Sequence, residues 1–465
     1  VSGSALDLAR QIRSGERSAM SVLAETRALI EAQDPSLNCF TATTYERAER
    51  EAAEIDARRV RGESLPPLAG VPYAVKNLFD IACVTTLAGA RVNVDNAAAA
   101  HDAQLVVRMQ RAGAVLVGAL NMDEHAYGFT CENTHYGATR NPHDRTRVSG
   151  GSSGGSAAAV GAGLVPLSLG SDTSGSIRVP ASFCGIFGLK PTYGRLSRTG
   201  CFPFVDSLDH VGPLARTVGD LAVTYDALQG PDPRDHACAQ RDIEAVGPSP
   251  TLLAGTRVGI LGGWFEDWAG PAARSAVRMA AAALGATQWC ELASAASARA
   301  AAFVITGAEG GALHRDKLKA RYAEFEPASR DRLVAGSLIP ASWVIQAQRA
   351  RKRAYAEALE LFGRFDLLLA AAAPDYAPHI GSETFAINGQ TVPTRATLGV
   401  LTQPISCIGL PACVAPLWPD PTGVNLPMGV QLIAAPWRED LCLAAAGVLE
   451  RAGLAASKSM KSSTN

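Results

Sequence analysis

The sequence lacks the features that mark a metalloprotein, a disulfide-stapled secreted domain, a membrane protein or a nucleic-acid binder. Its ten Cys, at 39, 83, 131, 184, 201, 238, 290, 407, 413 and 442, contain no Cys-x-x-Cys pair. Most sit in apolar runs and read as reduced core residues. The eight His show neither His-x-x-x-His nor His-Glu-x-x-His, so no metal spacing is present. No charge-free apolar stretch approaches the roughly 18 residues of a membrane-spanning helix. The first residues, from Val1 through Asp7, Arg10 and Arg13, lack the apolar core of a signal peptide, and a cytoplasmic protein is expected. Neither sign of charge dominates, with 43 basic and 44 acidic side chains and a net charge of -1. That balance leaves no footprint for a polyanion or an anionic membrane.

What is present is ample material for a core. With 465 residues, 47% hydrophobic and 19% charged, the chain has room for two or three domains or one large α/β domain. Helical patterns open it: Ala5 to Ile12, then Ser18 as N-cap before Val22, Leu23, Thr26, Leu29 and Ile30, then about Thr44 to Val60. Short β-like runs then alternate with helical ones: strands at Val71–Val75, Val115–Leu120 and Val165–Leu169, and helices over 103–112, 154–163 and 177–185. That alternation predicts an α/β layered fold. A polar stretch from Gln229 to Pro250 interrupts it and reads as an internal connection, because the pattern resumes with the strand Arg257–Leu261. A long helix from about Pro340 to Phe362, a strand Leu367–Ala371 and a last helix Glu439–Arg451 follow. The polar tail Ser457–Asn465 is expected to be disordered, which leaves residues 1–456 as one domain.

The one compositional anomaly is residues 149–194, where Gly and Ser concentrate at 149–156 and 170–176, each just before an apolar helical run. Glycine lets backbone approach a ligand closely, and free N–H groups at the start of a helix attract an anion. Such loops hold either a phosphate or an oxyanion. Neither supplies Gly-Lys-Ser/Thr, which weakens the nucleotide reading.

The run Gly150-Gly151-Ser152-Ser153-Gly154-Gly155-Ser156 through Gly170-Ser171-Asp172-Thr173-Ser174-Gly175-Ser176-Ile177-Arg178-Val179-Pro180-Ala181 closely resembles the signature of the amidase signature family, serine hydrolases with a Ser-Ser-Lys triad. Gly70-Val71-Pro72-Tyr73-Ala74-Val75-Lys76-Asn77 resembles the family's lysine strand, and Asn121-Met122-Asp123-Glu124 and Gly188-Leu189-Lys190-Pro191-Thr192-Tyr193-Gly194 also fit. The resemblance spans about residues 5–455 and implies a large mixed twisted sheet covered by helices on both faces. One position departs from it: Ser174 stands where the family usually has Gly, and a side chain there narrows the pocket or touches substrate.

Carried over residue by residue, the resemblance makes Ser176 the nucleophile, Ser152 a bridging serine on a cis peptide and Lys76 the terminal base, with no cofactor. A serine hydroxyl needs a base, and a lysine serves as one only where burial lowers its pKa toward neutrality. Lys76 follows the apolar run Val71–Val75, and Ser152 both donates and accepts, so it can relay a proton. The N–H groups of Thr173, Ser174, Gly175 and Ser176 are the candidate oxyanion donors. Asp172 and Arg178 bracket the nucleophile and read as a structural pair that stiffens the loop. Ser153 and Ser156 either line the site or cap the following helix. His125 and His135 read as pocket or packing residues.

The stretches from His125 through Tyr127 to Gly137 and from Ser171 to Ser182 look most like the branch of this family that hydrolyses carboxybiuret. That likeness implies release of ammonia from 1-carboxybiuret in cyanuric acid breakdown, leaving urea-1,3-dicarboxylate. Such an anion needs a cation. Arg321, Arg330 and Arg332, just before the long helix, offer guanidiniums for a carboxylate or stand as surface charges, and Ser153 and Tyr127 are further candidate contacts. The first half also resembles the glutaminase-type large chain of the tRNA-dependent amidotransferase. The alternative is therefore such a glutaminase, and a third reading is a catalytically silent binding chain. That branch implies a small helical partner resembling the amidotransferase's C-type chain, in a dimer of such units. A mean hydropathy of +0.07 and Ala-rich helices are consistent with an apolar strip for it to cover.

Overall fold

The computed structural model describes residues 3–421 and 423–458. Its centre is an eleven-stranded mixed sheet with strands in the order 40–43, 115–120, 72–76, 167–172, 210–215, 187–190, 412–417, 428–434, 367–371, 258–261 and 288–290. Parallel pairing joins 72–76 to both 115–120 and 167–172, and the middle of the sheet is antiparallel. The α/β class and the large mixed sheet are as the sequence predicts. The central strands are buried along their whole length, which suits their continuous apolar runs. Among the described residues no helix is long and apolar enough to cross a membrane.

Two elements beside this sheet carry the Gly/Ser loops. The helices Gly154–Gly161 and Arg178–Cys184 have no exposed residue, and Arg178 is their only charge. The strand expected at Val165–Leu169 instead runs Leu167–Asp172, because Ser168 to Asp172 pair with Leu214 to His210 in an antiparallel ladder. That shift carries Ser171 and Asp172 onto the sheet, beside the lysine strand Pro72–Lys76.

Ser18 caps the helix Ala19–Leu37 by accepting from Ser21 N at 3.0 Å. The stretch Gln229 to Pro250 carries no helix or strand, and the long helix runs Ala341–Arg364. Residues 459–465 of the expected tail lie outside the described residues. Periodicity did not reveal the helix Ala295–Arg321, the longest at 27 residues. Its buried side consists largely of Ala and Gly, so no recurring large residue signals it. The cysteines are unpaired, eight of them buried, but Cys83 is exposed and departs from the core expectation.

The helix Ala295–Arg321 packs against the helix Pro327–Ser337 through glycines. A Cβ on Gly336 would lie 2.0 Å from the Gly307 carbonyl oxygen, and one on Gly311 would lie 2.3 Å from Ser337 N. Backbone therefore touches backbone, and no neighbour can yield without moving a helix. Gly336→Ala is expected to retain the fold but lower stability by about 1–3 kcal/mol. Thermal melting checks this, and an unchanged midpoint would show that the two helices separate freely.

Candidate active site

Lys76 ends its strand with no solvent exposure. Its Nζ hydrogen-bonds Ser152 Oγ at 2.6 Å and Ser171 Oγ at 2.9 Å, and among the described residues it forms no ion pair. Burial pushes the amine down from 10.5 to about 7, against the opposing pull of Asp123. Ser152 follows a cis Gly151–Ser152 peptide. A Cβ on Gly151 would meet Asp123 Oδ2 at 2.0 Å, so only glycine lets this loop sit against Asp123.

The second loop folds onto the first where Ser153 N donates to the Ser176 carbonyl at 3.2 Å. Arg178 donates to both oxygens of Asp172, at 2.9 and 3.0 Å, and also to Gln431 Oε1, the Thr402 carbonyl and Ser406 Oγ. Burial alone would raise the Asp172 pKa, yet the adjacent guanidinium holds the carboxyl well below the usual range. Thr402 Oγ1 donates to the Ser174 carbonyl at 2.8 Å, and Gly175 sits at φ +140° where a Cβ would strike Thr402 Oγ1 at 2.1 Å. With the loop clamped this way, no acceptor in the protein takes the N–H of Thr173, Ser174, Gly175 or Ser176 among the described residues. These free donors beside the Ser176 hydroxyl can hold a developing oxyanion.

Ser176 faces a slot of about 20 Å³ whose walls include Tyr127, Thr173, Ser174, Phe303 and Arg332. At Phe303 and Arg332 the slot meets a cavity of about 440 Å³. On the other side, Thr173 and Phe204 also line a cavity of about 300 Å³ that reaches Ser171. A separate cavity of about 1090 Å³ lies over the helix Tyr45–Val60 and contains none of these residues.

The structure separates the remaining candidates. Arg332 lines the slot, stacks 3.5 Å from the Tyr127 ring centroid and donates to the Tyr127 carbonyl at 3.2 Å. Arg330 turns away to Asp331 and the Tyr322 ring, and Arg321 binds Glu324, Asp95 and the Val92 carbonyl. Ser153 is fully buried with its Oγ on the backbone of Ser171, so it braces the strand. Ser156 binds the Leu169 carbonyl in the same manner. His125 packs against His314, Phe202 and Phe325. His135 pairs with Glu124, whose other oxygen accepts from Glu326 N and Ser329 Oγ and so ties this segment to the helix that carries Arg332. Among the described residues no group of three or more His, Cys, Asp or Glu is placed to hold a metal ion.

Sequence reasoning assigned no role to Ser171 or Thr402. Ser171 lay in plain view within Gly170-Ser171-Asp172, and extending the strand by three residues would have placed it beside Lys76. Thr402 carries no local signal, since it reaches the loop across 228 residues.

The Amidase family profile matches residues 21–443. The chain is 56% identical over 451 residues to AtzE of Pseudomonas sp. (strain ADP), a 1-carboxybiuret hydrolase component, covering 97% of this chain and 98% of that one. It is 36% identical over 480 residues to the A-type chain of the glutamyl-tRNA(Gln) amidotransferase of Picosynechococcus sp., covering 96% and 97%. Among solved structures it matches one described as "An unexpected vestigial protein complex reveals the evolutionary origins of an s-triazine catabolic enzyme", with TM-score 0.97, 55% identity, and coverage of 98% of this chain and 100% of that one.

Removing Arg178 tests the clamp. Arg178→Met leaves the Asp172 carboxylate buried without its cation, and a loss of about 3–5 kcal/mol is expected in chemical denaturation. Because the folded Asp172 carboxyl lies below its ordinary value of 3.8, this stabilisation is complete above that value and is lost as pH falls. The gap between wild type and variant should therefore narrow in acid. A gap that persists unchanged would rule out the ion pair as its source.

Proposed function

The chain belongs to the amidase signature family and is an amide-hydrolysing enzyme, and from that premise we propose that it removes ammonia from 1-carboxybiuret through an acyl-enzyme on Ser176. The observation that carries this reading is the 56% identity to a component of 1-carboxybiuret hydrolase over nearly the whole of both chains. Arg332 in the slot supplies the guanidinium that an anionic substrate requires, and the ring and carbonyl of Tyr127 hold it in place.

The Lys76–Ser152 contact and the free N–H groups beside Ser176 support the following chemistry. Neutral Lys76 takes the Ser152 proton as Ser152 takes that of Ser176, and Ser176 Oγ attacks the carbonyl carbon of the terminal amide. The oxyanion gathers the N–H groups of Thr173 to Ser176, worth about 3 kcal/mol per well-aligned donor. The proton returns through Ser152 to the leaving nitrogen, the C–N bond breaks and ammonia departs. Water, deprotonated along the same path, then opens the ester and releases the product carboxylate, urea-1,3-dicarboxylate. Ser171 steadies the Lys76 amine through the second hydroxyl contact.

We read residues 1–456 as one catalytic unit of a cytoplasmic enzyme that works with a small helical partner. The similar solved structure is described as a protein complex. The exposed Leu338, Trp343 and Ile345 supply apolar surface for such a partner.

Ammonia release from carboxybiuret, biuret, allophanate and glutamine tests the substrate, with carboxybiuret expected to give the highest kcat/KM; a preference for glutamine overturns the assignment in favour of a glutaminase. Ser176→Ala is expected to cost about 10⁴-fold or more in kcat and to abolish acyl-enzyme in mass spectra, while Lys76→Met and Ser152→Ala retain the fold and lose most turnover. Because the base must be neutral, kcat/KM should fall about tenfold per pH unit below the Lys76 value of about 7. A flat acidic limb would exclude lysine as the base.

A further inference from the structure

The slot beside Ser176 contains polar atoms that neither the triad nor Arg332 uses. Thr306, on the helix Ala295–Arg321, is 7% exposed and lines the slot, and its Oγ1 is buried without a hydrogen-bond partner. A buried threonine inside a helix ordinarily donates to the carbonyl four residues back. Thr26 does so to Val22 at 2.8 Å and Thr224 to Asp220 at 2.7 Å. Thr306 makes no such bond, which leaves its hydroxyl with both its donor and its acceptor capacity unspent.

Gln403 lines the same slot from the helix Gln403–Cys407 and is 4% exposed. Its Oε1 accepts from Arg299 Nε at 3.0 Å. A guanidinium only donates, so this bond fixes which end of the amide is oxygen. The Nε2 end is left as a donor with no partner among the described residues. Arg299 is held in turn by the Ala396 carbonyl at 3.0 Å and by the Phe303 ring at 4.8 Å. The slot of about 20 Å³ is thus lined by one residue whose buried hydroxyl is unspent and by one whose amide N–H₂ makes no bond to the protein among the described residues, and a buried hydroxyl left unpaired is costly.

We propose that Thr306 and Gln403 form the specificity pocket for the ureido group next to the scissile amide, with the Gln403 amide donating to its carbonyl and the Thr306 hydroxyl accepting from its N–H. An alkyl amide such as glutamine offers methylenes at these positions and leaves both groups unpaired. A site built to hydrogen-bond a substrate discriminates strongly against an analogue lacking those groups. The inference rests on the carboxybiuret reading given above, and it adds the residues that choose an acylurea, the class to which biuret and carboxybiuret belong, over an alkyl amide.

The test compares kcat/KM for biuret with that for butyramide in the full-length enzyme with any co-purifying partner. In Thr306→Val, which keeps the shape and deletes the hydroxyl, the biuret-to-butyramide ratio is expected to fall about tenfold, and Thr306→Ser should restore it. Gln403→Leu should lower the same ratio, while melting temperatures report whether each variant is folded. A wild type that turns over no acylurea overturns the functional reading and this inference together. A wild type that prefers biuret, with the preference intact in folded Thr306→Val and Gln403→Leu, overturns this inference alone. Equal loss on both substrates also overturns it, since that is the mark of a merely structural role.

Discussion

Everything in the site depends on keeping one buried amine free of carboxylates. Among the described residues Lys76 has two hydroxyl partners and no ion pair, so desolvation outweighs the pull of more distant charges and drives it toward the neutral form. Three carboxylates nevertheless bear on it electrostatically: Asp123, Asp172 and Asp209. Each is occupied elsewhere. Asp123 accepts from Cys131 N, Asp172 is spent on Arg178, and Asp209 accepts from Thr173 Oγ1 and from the N–H groups of Phe204 and Val205. Were any of them to reach Nζ directly, the amine would stay charged at neutral pH and lose its value as a base. The buried polar network therefore does two things at once: it fixes the loops, and it holds negative charge away from the lysine.

The same network explains why glycine is concentrated in the two loops. Clamping Asp172 to Arg178 draws the loop tightly past Thr402, and the Ser152 loop must pass within contact distance of Asp123, Thr130 and Cys131. Side chains would obstruct both passages. The Gly/Ser composition that stood out in the sequence is thus a packing requirement of the catalytic geometry.

How much of this was legible depended on how local the cause was. The two loops, the lysine strand and the Asp172–Arg178 pair were all readable, because each is written within a few residues of its neighbours in the chain. Of the three arginines offered for the substrate carboxylate, Arg321 and Arg330 bind other groups and Arg332 lines the slot. Arg330 and Arg332 are two residues apart on one helix, and positions so spaced point to nearly opposite sides. Only one can face the slot, and periodicity alone does not say which. The tie from Glu124 to Glu326 N and Ser329 Oγ, across some 200 residues, accompanies the orientation that presents Arg332. Ser171 was missed because the strand was ended too early, at Leu169. The helix Ala295–Arg321 was missed because close backbone contact, made with Gly307, Gly311 and Gly336, replaces large apolar side chains.

This division of legibility follows the division of labour in the fold. The groups placed for bond making and breaking lie between residues 76 and 178, on the buried strands and the two loops beside them. The groups proposed for recognition, Thr306, Arg332 and Gln403, come from helices later in the chain and line the slot together with Tyr127 and Ser174. The helix Ala295–Arg321 and the helix Pro327–Ser337 pack on each other through glycine contacts, and the Glu124 tie joins the second of them to the segment that carries Tyr127. The relatives' names denote different substrates, and on the proposed reading this arrangement gives a physical reason: a fully buried network shields the lysine, while the side chains proposed for recognition come from helices laid over it.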